Sequence, residues 1–86
     1  MITIYKYKLN CGGGRQAVRV TQGAKILSAQ SQDGEIVVWI LLRLEANPLL
    51  IHFEVFGTGH DVGSLNAKHI DTVQMPNGLV WHIFQS

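Results

Sequence analysis

The chain alternates apolar and polar residues with a period of two almost from its first residue. In ITIYKYK, Thr3, Tyr5 and Tyr7 alternate with Ile2, Ile4, Lys6 and Lys8, the spacing that gives an extended strand two distinct faces. Three consecutive glycines after Cys11 break the pattern, because glycines in a row lose too much chain entropy to sit inside an element. RQAVRV follows as a short strand closed by Gln22-Gly23, and then KILSAQSQ. Asp33-Gly34 joins that strand to EIVVWILLR; a type I′ turn needs positive φ at both central residues, so Asp-Gly between two strand-like runs predicts a hairpin. The turn Glu45-Ala-Asn-Pro48 leads to LLIHFEVF, with Pro48 unable to donate to a ladder. Residues Ser64 to Lys68 have room for a single helical turn. HIDTVQM and LVWHIFQ are the last pair, joined by Pro76-Asn77-Gly78. The expectation is an all-β fold of about seven short strands, forming a small curled antiparallel sheet, barrel or sandwich.

EIVVWILLR and LLIHFEVF are apolar on both faces, whereas a strand wetted on one side alternates cleanly. The composition points the same way. Charged residues are only 15% of the chain and hydrophobic residues 47%, against about 25% charged in an average globular domain. A chain of 86 residues is one domain over 1–86, and a domain this small buries only about 60% of its unfolded surface. So apolar an exterior predicts self-association, with copies covering each other as in a homo-oligomer.

Seven Lys and Arg stand against six Asp and Glu, a net charge of +1, and they are scattered singly. That distribution offers no basic patch for a duplex, which argues against long nucleic acid as a partner. The single cysteine, Cys11, has no internal disulfide partner and fits a reducing compartment. MITIYKYKLN lacks the apolar core of a signal peptide. The longest apolar run, Ile36 to Leu42, is far short of the roughly 20 residues that span a bilayer. A cytoplasmic protein without a membrane partner is expected.

The stretch FEVFGTGHDVG carries the densest candidate chemistry. Gly57 and Gly59 permit backbone conformations that let amides converge on one point, a nest for phosphate or carboxylate, and Thr58 and His60 can add donors. The plainer account is a turn that bends on glycines. The spacing fits neither G-x-G-x-x-G nor a P-loop. His52, His60, His69 and His82 lack the pairwise spacing of a zinc site, so no metal and no cofactor are expected. Cys11 and Ser64 are nucleophiles without a specified base, and His60 with Asp61 or Asp71 is the one acid–base pairing on offer. Trp39 and Trp81 suit a core, or a pocket wall on which a base stacks. Trp81 and His82, being adjacent in a strand, point to opposite faces.

Taken together, Ile4-Tyr5-Lys6-Tyr7, Gly23-Ala24-Lys25-Ile26-Leu27-Ser28, Val38-Trp39, Phe56-Gly57-Thr58-Gly59-His60 and Val80-Trp81-His82-Ile83-Phe84 resemble a family of small, mostly uncharacterised phage proteins. The resemblance covers nearly the whole chain and departs from the family at Cys11–Gly14. It implies a phage product acting in the host cytoplasm, and by analogy of class a sponge that sequesters a nucleotide signal of host defence. The leading expectation is a non-enzymatic homo-oligomer holding a small anionic ligand between subunits. Gly57, Thr58, Gly59 and His60 would meet phosphate, with Trp81, His82 and Arg43 completing the site. An adaptor working through protein–protein contacts is the alternative, and a small hydrolase using His60 is a third.

Overall fold

The computed structural model describes residues 1–63 and 66–86. Seven strands follow one another: β1 (Ile2–Leu9), β2 (Gln16–Thr21), β3 (Lys25–Gln32), β4 (Glu35–Arg43), β5 (Pro48–Gly57), β6 (Lys68–Gln74) and β7 (Val80–Gln85). They build two antiparallel sheets, ordered β1-β4-β3 and β2-β5-β7-β6. The fold is all-β, as the alternation predicts, and among the alternatives it is a curled sandwich with no closed barrel ladder. Among the described residues no helix is long and apolar enough to cross a membrane. The helical turn expected over 64–68 lies partly outside the described residues, as does the candidate nucleophile Ser64, and Lys68 opens β6 instead.

Local chemistry sets the connections. Asp33 and Gly34 both have positive φ, 52° and 78°, the type I′ geometry that matches the right-handed twist of the β3–β4 hairpin. In the β6–β7 hairpin the Gly78 amide bonds the Met75 carbonyl and Gly78 itself has positive φ, the three-residue loop of a type I turn followed by a left-handed glycine. Pro48 starts β5 opposite Thr21, a position where the missing N–H does no harm.

One aliphatic core fills the space between the sheets. Ile36, Val38 and Ile40 of β4 face Phe53 and Val55 of β5 and Ile83 of β7, all buried. The outer face of β4 is also partly sealed, but by its own sheet. Val37 is only 3% exposed, flanked in register by Lys8 and Gln30. Over that part of the face run the Lys8–Glu35 ion pair at 3.0 Å and the Lys6 Nζ–Gln32 bond at 2.7 Å. Long polar side chains thus cover apolar surface with their stems around Val37, while Trp39 and Leu41 on the same face stay half-buried. Ile2, Ile4, Leu44 and Leu50 remain exposed.

The sheets meet along two seams. Between β1 and β2 the Tyr7 hydroxyl donates to the Arg19 carbonyl at 2.9 Å. Between β3 and β6 the Ala29 amide donates to Asp71 Oδ2 at 3.1 Å. Asp71 Oδ1 also accepts from the Thr72 amide, so this carboxylate is structural and is not bonded to His60. Asp71→Ala leaves the buried Ala29 amide without its acceptor, a loss of about 1–3 kcal/mol. Asp71→Asn keeps one of the two acceptor oxygens and recovers only part of it. Urea midpoints read both, and an Ala variant within error of the parent contradicts the seam's role.

Burial, and then the neighbouring Tyr5, push the Tyr7 phenol above its ordinary value of 10.0. Its protonated form is favoured by folding, so that stability is complete below pH about 10 and falls as pH rises toward the folded-state value. Tyr7→Phe removes this alkaline slope and the hydroxyl bond, the latter worth about 0.5–1 kcal/mol. Chemical denaturation from pH 8 to 11 separates the two effects, and equal slopes in both proteins contradict the assignment.

Candidate functional site

The GTGH segment folds as a tight turn at the end of β5. The His60 amide bonds the Gly57 carbonyl at 3.1 Å, and Gly59, the third residue of the turn, has φ 87°, as a type II turn requires. The Gly57 amide donates to His60 Nδ1 at 3.1 Å, and the Thr58 amide reaches the Val80 carbonyl at 3.4 Å. Three of the four amides that an anion cradle would use are therefore committed within the chain. The bond from Gly57 fixes Nδ1 of His60 as an acceptor and leaves Nε2 to carry the ring proton. Asp61 Oδ1 accepts from the Gly63 amide at 2.7 Å, closing its own turn. The glycine is needed for a steric reason too: a Cβ on Gly57 would sit 2.8 Å from the His60 ring.

Of the seven residues expected to form the site, Gly57, Thr58, His60 and Trp81 border one depression and Gly59 completes their turn, whereas His82 reaches only Thr58 of them and Arg43 lies elsewhere. The His60 ring packs edge-on to Trp81, centroids 5.9 Å apart. Gly57, Thr58, His60 and Trp81 line a shallow depression of about 400 Å³ with Leu79 and Val80. Trp81 packs against the core, while His82 lies on the opposite face of β7, as alternation predicts. Arg43 ends β4 in the other sheet, opposite Ile2, with its side chain against the Gly23 turn.

On the outer face of the four-stranded sheet His82 belongs to a hydrogen-bonded chain. Its Nε2 meets Thr58 Oγ1 at 2.8 Å and its Nδ1 meets Thr72 Oγ1 at 3.3 Å. Thr72 Oγ1 in turn meets His69 Nε2 at 3.0 Å. The Thr72 hydroxyl has one proton to share between two rings, so the tautomers of His69 and His82 are linked. Strict alternation would put His69 and Thr72 on opposite faces. They share one because the register of β6 shifts between His69 and Asp71, with Ile70 as the extra residue.

A second bulge lies in β3 between Ile26 and Ser28, with Leu27 the extra residue. The two bulges face each other across the β3–β6 seam and hold its end apart. The result is a cavity of about 500 Å³, within the size range of small-molecule sites. The aliphatic side chains of Val20, Ile26, Ile51 and Ile70 form most of its floor, with the polar Gln85 also in the lining. At its mouth stand Lys25, Lys68 and His69, with the leucines Leu27 and Leu49 beside them. No carboxylate lines it, and among the described residues neither lysine has a salt-bridge partner. Gly23 is part of the wall, and a Cβ there would meet Arg43 Cδ and Nε at 3.4 Å, so the guanidinium arm runs past the same end. Sequence reasoning missed this cavity. Its trace in the chain was the spacing of three between Ile26 and Ala29, both inward-facing, where a regular strand has two. Among the described residues no group of three or more His, Cys, Asp or Glu is placed to hold a metal. Cys11 is exposed in the glycine turn.

A family model described as a domain of unknown function (DUF7352) matches residues 1–86, and the chain belongs to that family. No curated protein matches the chain, and no solved structure does.

Gly57→Ala forces the His60 ring off the turn, since a gap of 2.8 Å to a new Cβ is not tolerated. The expected result is a changed environment for Trp81 and His60, with the sheets intact. NMR shifts of the Trp81 indole and the His60 Cε1 proton read it. Unchanged shifts contradict the packing of ring on glycine.

Proposed function

We propose that this member of the domain-of-unknown-function family is a non-enzymatic binding protein that sequesters a small anionic ligand, and that the ligand enters the cavity at the end of the β3–β6 seam. The observation that carries this reading is the pairing of an aliphatic floor with a mouth bearing Lys25, Lys68 and His69 and no acidic group. Apolar walls with a few convergent polar groups are what small-molecule sites share. Lysines without local partners leave their charge available to an incoming anion. Bulges on both flanking strands support it further, since such irregularities gather beside functional sites. Tight holding requires no bond to be made or broken, so the function needs no catalytic residue.

This reading keeps the anionic ligand expected from the sequence and moves it from the GTGH turn to the interior of one chain. The turn's amides are spent on Val80, Gly57 and His60, and no lysine or arginine lines its depression. Self-association remains part of the proposal, supported by Ile2 and Ile4, which stand exposed on the edge strand β1, and by Leu50 on β5. A cytoplasmic site of action and a phage origin are proposed on the residues of the resemblance.

Native mass spectrometry on gently purified protein tests both parts at once. The expected spectrum shows an oligomer carrying excess mass. The double variant Lys25→Glu/Lys68→Glu loses affinity for the released species by about tenfold or more, as expected for removing charge-assisted bonds. Thr58→Ala/His60→Ala stays within about twofold of the parent. The reverse ranking returns the site to the turn, and a monomer removes the assembly part.

A further inference from the structure

We infer that the ligand of the β3–β6 cavity is an amphiphilic carboxylate, an unbranched acyl chain ending in one carboxylate, and not a nucleotide; the inference rests on the cavity being the binding site. The floor decides the body of the ligand. Val20, Ile26, Ile51 and Ile70 are aliphatic, and no phenylalanine, tyrosine or tryptophan lines the cavity. Proteins hold nucleobases largely by stacking them on aromatic rings. The one planar side chain at the mouth, His69, is already packed edge-on to Phe84 at 5.3 Å and bonded to Thr72. A chain of methylenes asks for nothing but apolar surface, which this floor supplies.

The mouth decides the head group. Lys25 and Lys68 come from the first residues of β3 and β6, the two strands that frame the opening. They are compact point charges on apolar stems, and both line the cavity, so each can offer methylenes to an apolar chain and an ammonium to its head group. Two such charges suit one carboxylate. Leu27 and Leu49 stand beside them with 44% and 43% of their surface exposed. Exposed leucines next to unpaired lysines make an amphiphilic rim, apolar toward the cavity and positive toward solvent. The two bulged residues, Leu27 and Ile70, both line the cavity, Leu27 at its exposed rim and Ile70 against the core.

Calorimetric titration of the whole protein with butanoate, hexanoate, octanoate and decanoate, and separately with decanol and AMP, tests this. Each added methylene is expected to tighten binding about fourfold until the floor is filled, the gain of burying one CH₂. Decanol, lacking the charge, binds about tenfold or more weakly than decanoate, and Lys25→Glu/Lys68→Glu brings decanoate down to the decanol level. Leu27→Asn/Leu49→Gln, both at exposed positions that leave the core untouched, flattens the chain-length dependence. If affinity does not rise with chain length in the parent protein, the acyl assignment fails. If AMP binds more tightly than decanoate and the lysine variant abolishes it, the acyl assignment fails while the cavity stands. If none of these probes binds, or binding ignores the lysine variant, the cavity itself is not the site and both readings fall.

Discussion

Two sheets of three and four strands can share one core only if their edges stay together, and at the β3–β6 seam that depends on a single carboxylate. Asp71 takes the amide of Ala29 from across the seam and the amide of Thr72 from its own strand. A backbone ladder would have joined the strands along their whole length and merged the two sheets into one, β1-β4-β3-β6-β7-β5-β2. A side-chain bond joins them at one point and leaves the rest of the edge free to diverge. Ala29 is almost fully buried, and an unmet donor there is more costly than one at the surface.

The cavity and the outer-face histidine chain both follow from how the strands diverge beyond that point. Each strand carries one extra residue just before it, Leu27 in β3 and Ile70 in β6. The extra residues turn the strands apart and open a space between the sheets. In β6 the same irregularity brings His69 and Thr72 onto one face, within reach of His82. His69 stands at the mouth of the cavity and at the end of the chain that runs through Thr72 and His82 to Thr58. The GTGH turn and the cavity, which lie far apart in the sequence, are thereby joined by one continuous row of hydrogen bonds.

Charge distribution separates the two recesses. The turn satisfies itself: its amides bond within the chain and its histidine ring lies on a glycine. The cavity is lined by two lysines without a salt-bridge partner among the described residues, together with aliphatic side chains and the amide of Gln85. A net charge of +1 says little about such a site, because three of the seven cations, Lys25, Lys68 and Arg43, gather at this one end while the others lie elsewhere on the sheets. Local asymmetry of charge, more than the total, is what a small anion would meet.

Much of the fold was legible in the residues. A period of two marked the strands, Asp33-Gly34 required its hairpin, Pro76-Asn77-Gly78 required another, and adjacent positions in β7 had to send Trp81 and His82 to opposite faces. These are local consequences of backbone sterics, and they need no neighbour to act. The grouping of Gly57, Thr58 and His60 with Trp81 was expected across a subunit boundary, and it is the pairing of β5 with β7 that brings them together within one chain. What the chain could not disclose was which strand edges meet without a ladder. The Asp71–Ala29 contact joins residues 42 positions apart, and whether a carboxylate serves catalysis or a seam depends on what stands opposite it. Arg43 went to the other sheet for the same reason: the register of β4 against β1 places it, and no local signal encodes that register. The sequence by itself determined the strands and their turns; only the tertiary structure decided that two small irregularities would face each other and leave a lysine-rimmed space between the sheets, since a cavity belongs to no single segment of the chain.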